Sequence, residues 1–300
     1  MPTPAARPDV LRGRVFRGST VVASGLLTRK QLRSAVWRRL REDVYVDAAV
    51  PLTHRVQISA VGLTLPPDAG FTGLSAALLW GVPDIATVDD PVDVVVPRGA
   101  RWHPGSGVVV RRTTSAPRLG RVGRWPCTSR IDTAVGLIRH GDPDDAVVLL
   151  DRLLAGGLTT LMDVRDAVAE LPRGRGSAQA RRVAALADGH AQPPQETRLR
   201  LLLLRAGFPP PVAQFRAFDD DGFIARLDLA YPDLRIAIEY DGLWHGERKA
   251  FLDDRRRLNR LTAAGWVVVH VTVDDLHDPR RLLARLGTLR AGRLGMINAR

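Results

Sequence analysis

The sequence predicts a mixed α/β protein built from three segments. Three observations carry that expectation. A basic helix-then-strand pattern fills the first sixty residues, and helices and strands with turn-rich joints follow to about residue 190. From Glu196 the order becomes helix, strand pair, helix, strand, helix. The stretch "ADGHAQPPQ" (187–195) marks the sharpest joint, so the expected domains are 1–60, 61–190 and 191–300. Three hundred residues suffice for each to bury a core.

The first segment opens with "LLTRKQLRSAVWRRLREDVYV". Thr28 and Gln31 have capping-box spacing, and Leu26, Leu27, Leu32 and Val36 begin an apolar helical face. Arg38, Arg39 and Arg41 then form a basic connection to a short strand, "VYV" (44–46). Helix, basic connection and β-wing is the order of a winged helix-turn-helix. A small helical domain with a solvated arginine face fits the same pattern.

Helices are expected next at 53–64, capped by Thr53, and at 73–82, then strands at 92–97 and 107–113. Two helices follow in "TSRIDTAVGLIRHGDPDDAVVLLDRLLAGG", the second capped by Asp142, begun by Pro143 and stopped by Gly156. A third spans about 160–171 and ends at Pro172, and the basic connector "PRGRGS" and a short helix follow. In the last segment "ETRLRLLLLRAG" is a helix closed by Gly207. Strands at about 223–230 and 234–240 are joined by Tyr231-Pro232-Asp233; a charged helix (247–264), a buried strand (266–272) and a closing helix (278–287) complete the chain.

The formal charge is +12, which points to a polyanionic partner, nucleic acid first. Only Lys30 and Lys249 are lysines among 44 basic residues, and a GC-rich coding sequence gives the same arginine bias. The distribution is more informative, because residues 1–50 carry ten basic and four acidic side chains. No run reaches membrane-spanning length and no apolar signal core opens the chain, so a cytoplasmic protein is expected. The single cysteine, Cys127, excludes an internal disulfide and a cysteine-rich zinc site. Neither a P-loop nor a dinucleotide-binding glycine pattern is present.

The densest chemistry lies in "RLDLAYPDLRIAIEYDGLWH" (226–245), where carboxylates interrupt strand-like apolar runs. Strand alternation puts Arg235, Ala237, Glu239 and Asp241 on one face. A turn centred on 232 and 233 sets Asp228 opposite Ala237 and diagonal to Glu239, roughly 7–8 Å away between α-carbons. Two carboxylates so placed converge on one hard cation, and Gly242 lets His245 turn back beside them. Each has a plainer alternative: Asp241-Gly242 is a turn signal, Glu239 is placed to pair with Arg226, and His245 is a loop histidine. Glu196 at the head of its helix suits either the site or the helix dipole.

Residues 196–272 resemble the domain of unknown function 559, related to the Vsr-like endonucleases of the PD-(D/E)XK superfamily. The matching residues are Glu196, Asp228 in "RLDLAYP", Glu239, Asp241, Gly242 and His245 in "IEYDGLWH", and "DRRRLNRLTAAGW" (254–266). That resemblance implies a restriction-endonuclease-like α/β domain and a Mg2+-dependent phosphodiesterase, with Mn2+ as a substitute metal. Asp228 and Glu239 would be ligands with the Tyr240 carbonyl, and Glu196, Asp241 and His245 would complete the catalytic set. Asp241 takes the superfamily's lysine position, Leu258 stands where an acidic residue is expected, and His270 where arginine is common. Arg257 and Arg260 join Arg29, Lys30, Arg33, Arg38, Arg39 and Arg41 as DNA-contacting candidates.

The preceding region, roughly 15–155, resembles the AbiEi-type antitoxins, through "GLLTRKQLRSAVWRRLREDVYV", "FTGLSAALLWGVP" and "CTSRIDTAVGLI". Fusions of two such halves are typical of actinobacteria. The resemblance implies DNA as partner, with a cognate toxin and a second copy as further partners. Two functions therefore stand at the level of sequence: a targeted endonuclease, and a non-catalytic DNA-binding regulator that keeps the nuclease fold as scaffold.

Overall fold

A computed structural model describes residues 7–113, 118–189, 193–241 and 248–298, with the backbone alone for 248–252. A short strand β1 (Phe16–Arg17) leads into helices α1 (Gly18–Ala23) and α2 (Arg29–Leu32), then the hairpin β2 (Trp37–Arg41) and β3 (Val44–Asp47). These strands form an antiparallel sheet in the order β1-β3-β2. The capping box at α2 forms as expected, with Gln31 N donating to Thr28 Oγ1 at 3.2 Å and Thr28 N donating to Gln31 Oε1 at 2.7 Å. The helix stops after one turn, however, and Arg38, Arg39 and Arg41 lie on strand β2 rather than in a connection. The Ser34 hydroxyl bonds the Gln31 carbonyl at 2.7 Å, competing with helix continuation. Trp37 then packs edge-on to Phe16, in a core with Leu11, Val21, Leu27 and Leu32.

The chain continues through α3 (His54–Gly62), β4 (Gly70–Phe71), α4 (Gly73–Leu79), β5 (Val92–Pro97), β6 (Val108–Thr113), β7 (Leu119–Val122), β8 (Trp125–Thr128) and α5 (Arg130–Ile138). The five strands form a mixed sheet, β6-β5-β4-β8-β7. Then come α6 (Pro143–Ala155), α7 (Leu161–Ala169), α8 (Ser177–Leu186), α9 (Pro194–Arg205), β9 (Val212–Asp219), β10 (Gly222–Tyr231), β11 (Ile236–Tyr240), α10 (Arg248–Ala263), β12 (Val267–Val271), α11 (Val273–His277) and α12 (Arg280–Asn298). The last helix runs well past Gly287, anchored by buried Leu282 and Leu286. None of the described helices is long and apolar enough to cross a membrane.

Two compact units result: the chain up to Leu137 with Gly156–Ala167, and Ile138–Ala155 with the chain from Val168 onward. In the second, helix α6 is tied to α9 by Asp151, which is fully buried and accepts from Arg200 and Thr197, both at 2.9 Å. Its sheet has the order β12-β11-β10-β9, with β11 and β12 parallel and the other pairs antiparallel. Leu199 and Leu203 of α9 and Leu282 and Leu286 of α12 pack with Leu229, Ile236, Ile238, Val269 and Val271. Leu261 of α10 joins a separate cluster with Ala230, Ala237, Leu227 and Trp266. The molecule is thus mixed α/β, and the second unit places its helices around an open four-stranded sheet.

Candidate active site

Two features of the second sheet set the site's geometry, and both depart from expectation. Strand β9, which has no clear apolar alternation, adds an edge beside β10. The β10–β11 connection is also longer than a tight turn: Pro232–Leu234 is a single 3-10 turn, and Arg235 follows in the left-handed region at φ 48°. The register therefore shifts by two residues, pairing Ala230 with Ala237 and Leu229 with Ile238. Continued by one residue, it sets Asp228 directly opposite Glu239 rather than diagonal to it. Opposite residues lie roughly 4.5–5.5 Å apart between α-carbons, closer than the expected diagonal. On the other side Asp228 faces Gln214, between the pairs Leu227–Phe215 and Leu229–Ala213. Glu239 in turn pairs with His270 on β12. By register Gln214, Asp228, Glu239 and His270 fall at one level across four strands, with the left-handed Gln214 interrupting the regular pairing of β9 and β10.

Burial makes that row electrostatically costly. Glu239 is 6% exposed, and Asp228 is half-buried. Burial pushes the Asp228 carboxyl above the usual carboxylate range; the Tyr240 amide opposes this, and the charge of Glu239 adds to it. Asp228 Oδ2 accepts from Tyr240 N at 2.9 Å. Glu239 pairs with Arg257 of α10, not with Arg226, which the register sets against Arg216 on β9. Both oxygens of Glu239 accept from the Arg257 fork, at 2.7 and 2.8 Å, and Arg257 also reaches Asp254. The bonds to Glu239 raise the guanidinium above its ordinary value.

Glu196 is 3% exposed on the first turn of α9. Its Oε2 accepts from Gln214 Nε2 at 2.6 Å, which ties this helix to the row. Gln214 has φ 52°, a left-handed conformation in mid-strand that costs roughly 1–3 kcal/mol for a non-glycine residue. Its Oε1 is shielded from solvent and has no hydrogen-bond partner among the described residues. Asp241 sits at the open end of β11 with both oxygens near His270 Nδ1, at 3.1 and 3.0 Å. His245 lies outside the described residues. Sequence reasoning missed Gln214 and the Arg257–Glu239 pair; an isolated glutamine within "VAQFRAF" was the only signal for the first.

The donor chemistry fits a hard divalent cation. Carboxylate oxygens of Asp228 and Glu239 and the Gln214 Oε1 are the oxygen types such an ion takes, and a buried acceptor without a partner among the described residues leaves room for a donor or a cation. An ion at Glu239 would compete with the Arg257 fork, which already takes one acceptor site on each oxygen. Among the described residues, no three His, Cys, Asp or Glu side chains gather as a complete ligand set.

The basic candidates divide by how they are held. Arg29, Lys30 and Arg33 are exposed on and just after α2. Arg39 is exposed on β2 with its Nε donating to the Arg41 carbonyl at 3.2 Å, and Arg38 donates to the Ala48 carbonyl at 3.2 Å. Arg41 donates to the carbonyls of Pro104 and Ser106, so its fork is engaged within its own unit. Arg260 is clamped on Asp219 at 2.9 and 2.5 Å, and Arg257 on Glu239.

No family model matches the chain. It is 34% identical over 214 residues to two Mycobacterium tuberculosis proteins, Uncharacterized protein MT2308 (strain CDC 1551 / Oshkosh) and Uncharacterized protein Rv2248 (strain H37Rv). Each match covers 71% of this chain and 78% of the relative. The crystal structure of the RV2827C protein from Mycobacterium tuberculosis overlaps 68% of this chain and 83% of its own, at 15% identity and a TM-score of 0.40. On the extent and identity of the sequence matches, the chain belongs to the family of the mycobacterial proteins MT2308 and Rv2248.

Proposed function

We propose that the chain is a Mg2+-dependent DNA endonuclease of the PD-(D/E)XK, Vsr-like type, held on DNA by a winged helix in its first unit. The observation that carries this reading is the single row Gln214–Asp228–Glu239, with Glu196 bonded into it from α9. A scaffold gains nothing from Asp228 set against Glu239 where burial opposes the charge of Asp228. Magnesium, when bound, would act as Lewis acid and lower the pKa of a coordinated water; manganese would substitute. Asp228, Glu239 and the Tyr240 carbonyl would hold the ion. Arg257, displaced from Glu239, would become free to meet a phosphate. Asp241, bonded to His270, and His245 would handle protons at the open end of β11.

The domain of unknown function 559 and AbiEi-like resemblances support this division of labour. The exposed trio Arg29, Lys30 and Arg33, followed by the β2–β3 hairpin, supports the DNA-holding role. A cognate toxin and a second copy are the further partners that this reading admits. One observation favours the regulator instead: Arg257 already satisfies both oxygens of Glu239, as in a closed scaffold. The two separate in a plasmid assay. The endonuclease converts supercoiled DNA to nicked circles with Mg2+ and not with EDTA; the regulator binds the DNA and leaves it supercoiled in both.

A further inference from the structure

We propose that Gln214 is an additional oxygen donor of the carboxylate site, its Oε1 facing the cation or a water bound to it. The inference rests on the metal reading given above. Gln214 stands opposite Asp228, and its Nε2 donates to Glu196 at 2.6 Å. That bond fixes which way the amide points, because a carboxylate only accepts. Oε1 is then left as an acceptor, shielded from water and without a partner among the described residues. Buried acceptors are rarely left unpaired, so this one has room for a bound ion or a water as its partner. The left-handed backbone at Gln214 holds the amide in this place although a relaxed strand would be less strained.

A neutral amide oxygen suits this position. A further carboxylate beside Asp228, Glu239 and Glu196 would add repulsion whenever the ion left, whereas an amide adds a ligand without charge. The same side chain also keeps Glu196 in register with the row through its other end. Gln214 is thus a positioning residue for Glu196 and a ligand for the ion or its water.

The test is Mn2+ binding to the full-length protein, followed through the loss of the free-ion EPR signal, in wild type, Asp228→Asn, Gln214→Met and Gln214→Glu. Asp228→Asn should abolish binding, Gln214→Met should weaken it about tenfold or more, and Gln214→Glu should tighten it. Wild-type affinity in Gln214→Met, with binding lost in Asp228→Asn, overturns the role of Gln214 and leaves the metal site standing. Absence of binding to wild type overturns both. If Gln214→Met does not fold, the isosteric Gln214→Glu decides alone: tighter binding supports the donor role, and equal or weaker binding overturns it.

Discussion

Replacing Arg257 by methionine separates the two roles open to Glu239. The substitution keeps an unbranched apolar stem and removes the fork whose nitrogens lie 2.7 and 2.8 Å from the two carboxylate oxygens. Glu239, 6% exposed, would then lose that fork and still face the repulsive neighbour Asp228. Breaking one side of a buried ion pair costs roughly 3–5 kcal/mol. The Arg257 side chain is 27% exposed, so water partly screens the pair and a loss of about 2–3 kcal/mol is expected. For a unit of this size that lowers the melting temperature by roughly 4–12 °C. The assay is a thermal melt by circular dichroism with and without Mg2+ at matched ionic strength. If Glu239 is a metal ligand, Mg2+ should raise the variant's midpoint by more than that of wild type, since no guanidinium has to be displaced. A variant that loses stability and gains no more from Mg2+ than wild type would refute the ligand role.

Asp228→Asn should leave the metal-free protein equally or more stable at neutral pH and abolish the Mg2+-induced rise in melting temperature. Burial holds the folded-state pKa of Asp228 above its unfolded value, so wild type loses stability as pH rises through the carboxylate range. The asparagine variant should lack that dependence in a pH series of melts. Glu196→Gln should cut plasmid cleavage severely while changing the melting temperature by only a few degrees, since an amide can fill the same space; equal loss of both would assign Glu196 to the fold. Replacing Arg29, Lys30 and Arg33 together by alanine should lower the slope of log affinity against log salt by about 0.9 per lost phosphate contact. Arg41→Ala should leave that slope unchanged and lower the melting temperature, because its donors serve the Pro104 and Ser106 carbonyls.

Local chemistry was legible in the sequence wherever a short stretch decides the outcome. The Thr28–Gln31 capping box and the Pro143 start of α6 follow from neighbouring residues alone. Apolar runs likewise gave β5, β10, β11 and β12. What failed depended on partners distant in sequence. Strand β9 carries Gln214 and Arg216 among its apolar residues and is held by pairing with β10, so no periodicity announces it. Strands β7 and β8 are four residues each and are fixed by one another and by β4. The β10–β11 register turned on a left-handed arginine, Arg235, at a position where Tyr-Pro-Asp suggested a shorter turn. That two-residue shift changed the site, since it moved Asp228 from the diagonal of Glu239 to its direct opposite. The residue types of the candidate site were therefore readable, but their pairing was not. The partner of Glu239 in particular comes from α10, 18 residues on.

The most direct measurement is the rate at which wild type and Asp228→Asn nick supercoiled plasmid in Mg2+ at equal DNA occupancy. An endonuclease centred on the carboxylate row predicts nicking by wild type that stops with EDTA, and none by Asp228→Asn although it still folds and binds the plasmid. Equal rates in the two proteins, or no nicking by wild type while it binds DNA, would contradict that claim and leave the row as part of a DNA-binding scaffold.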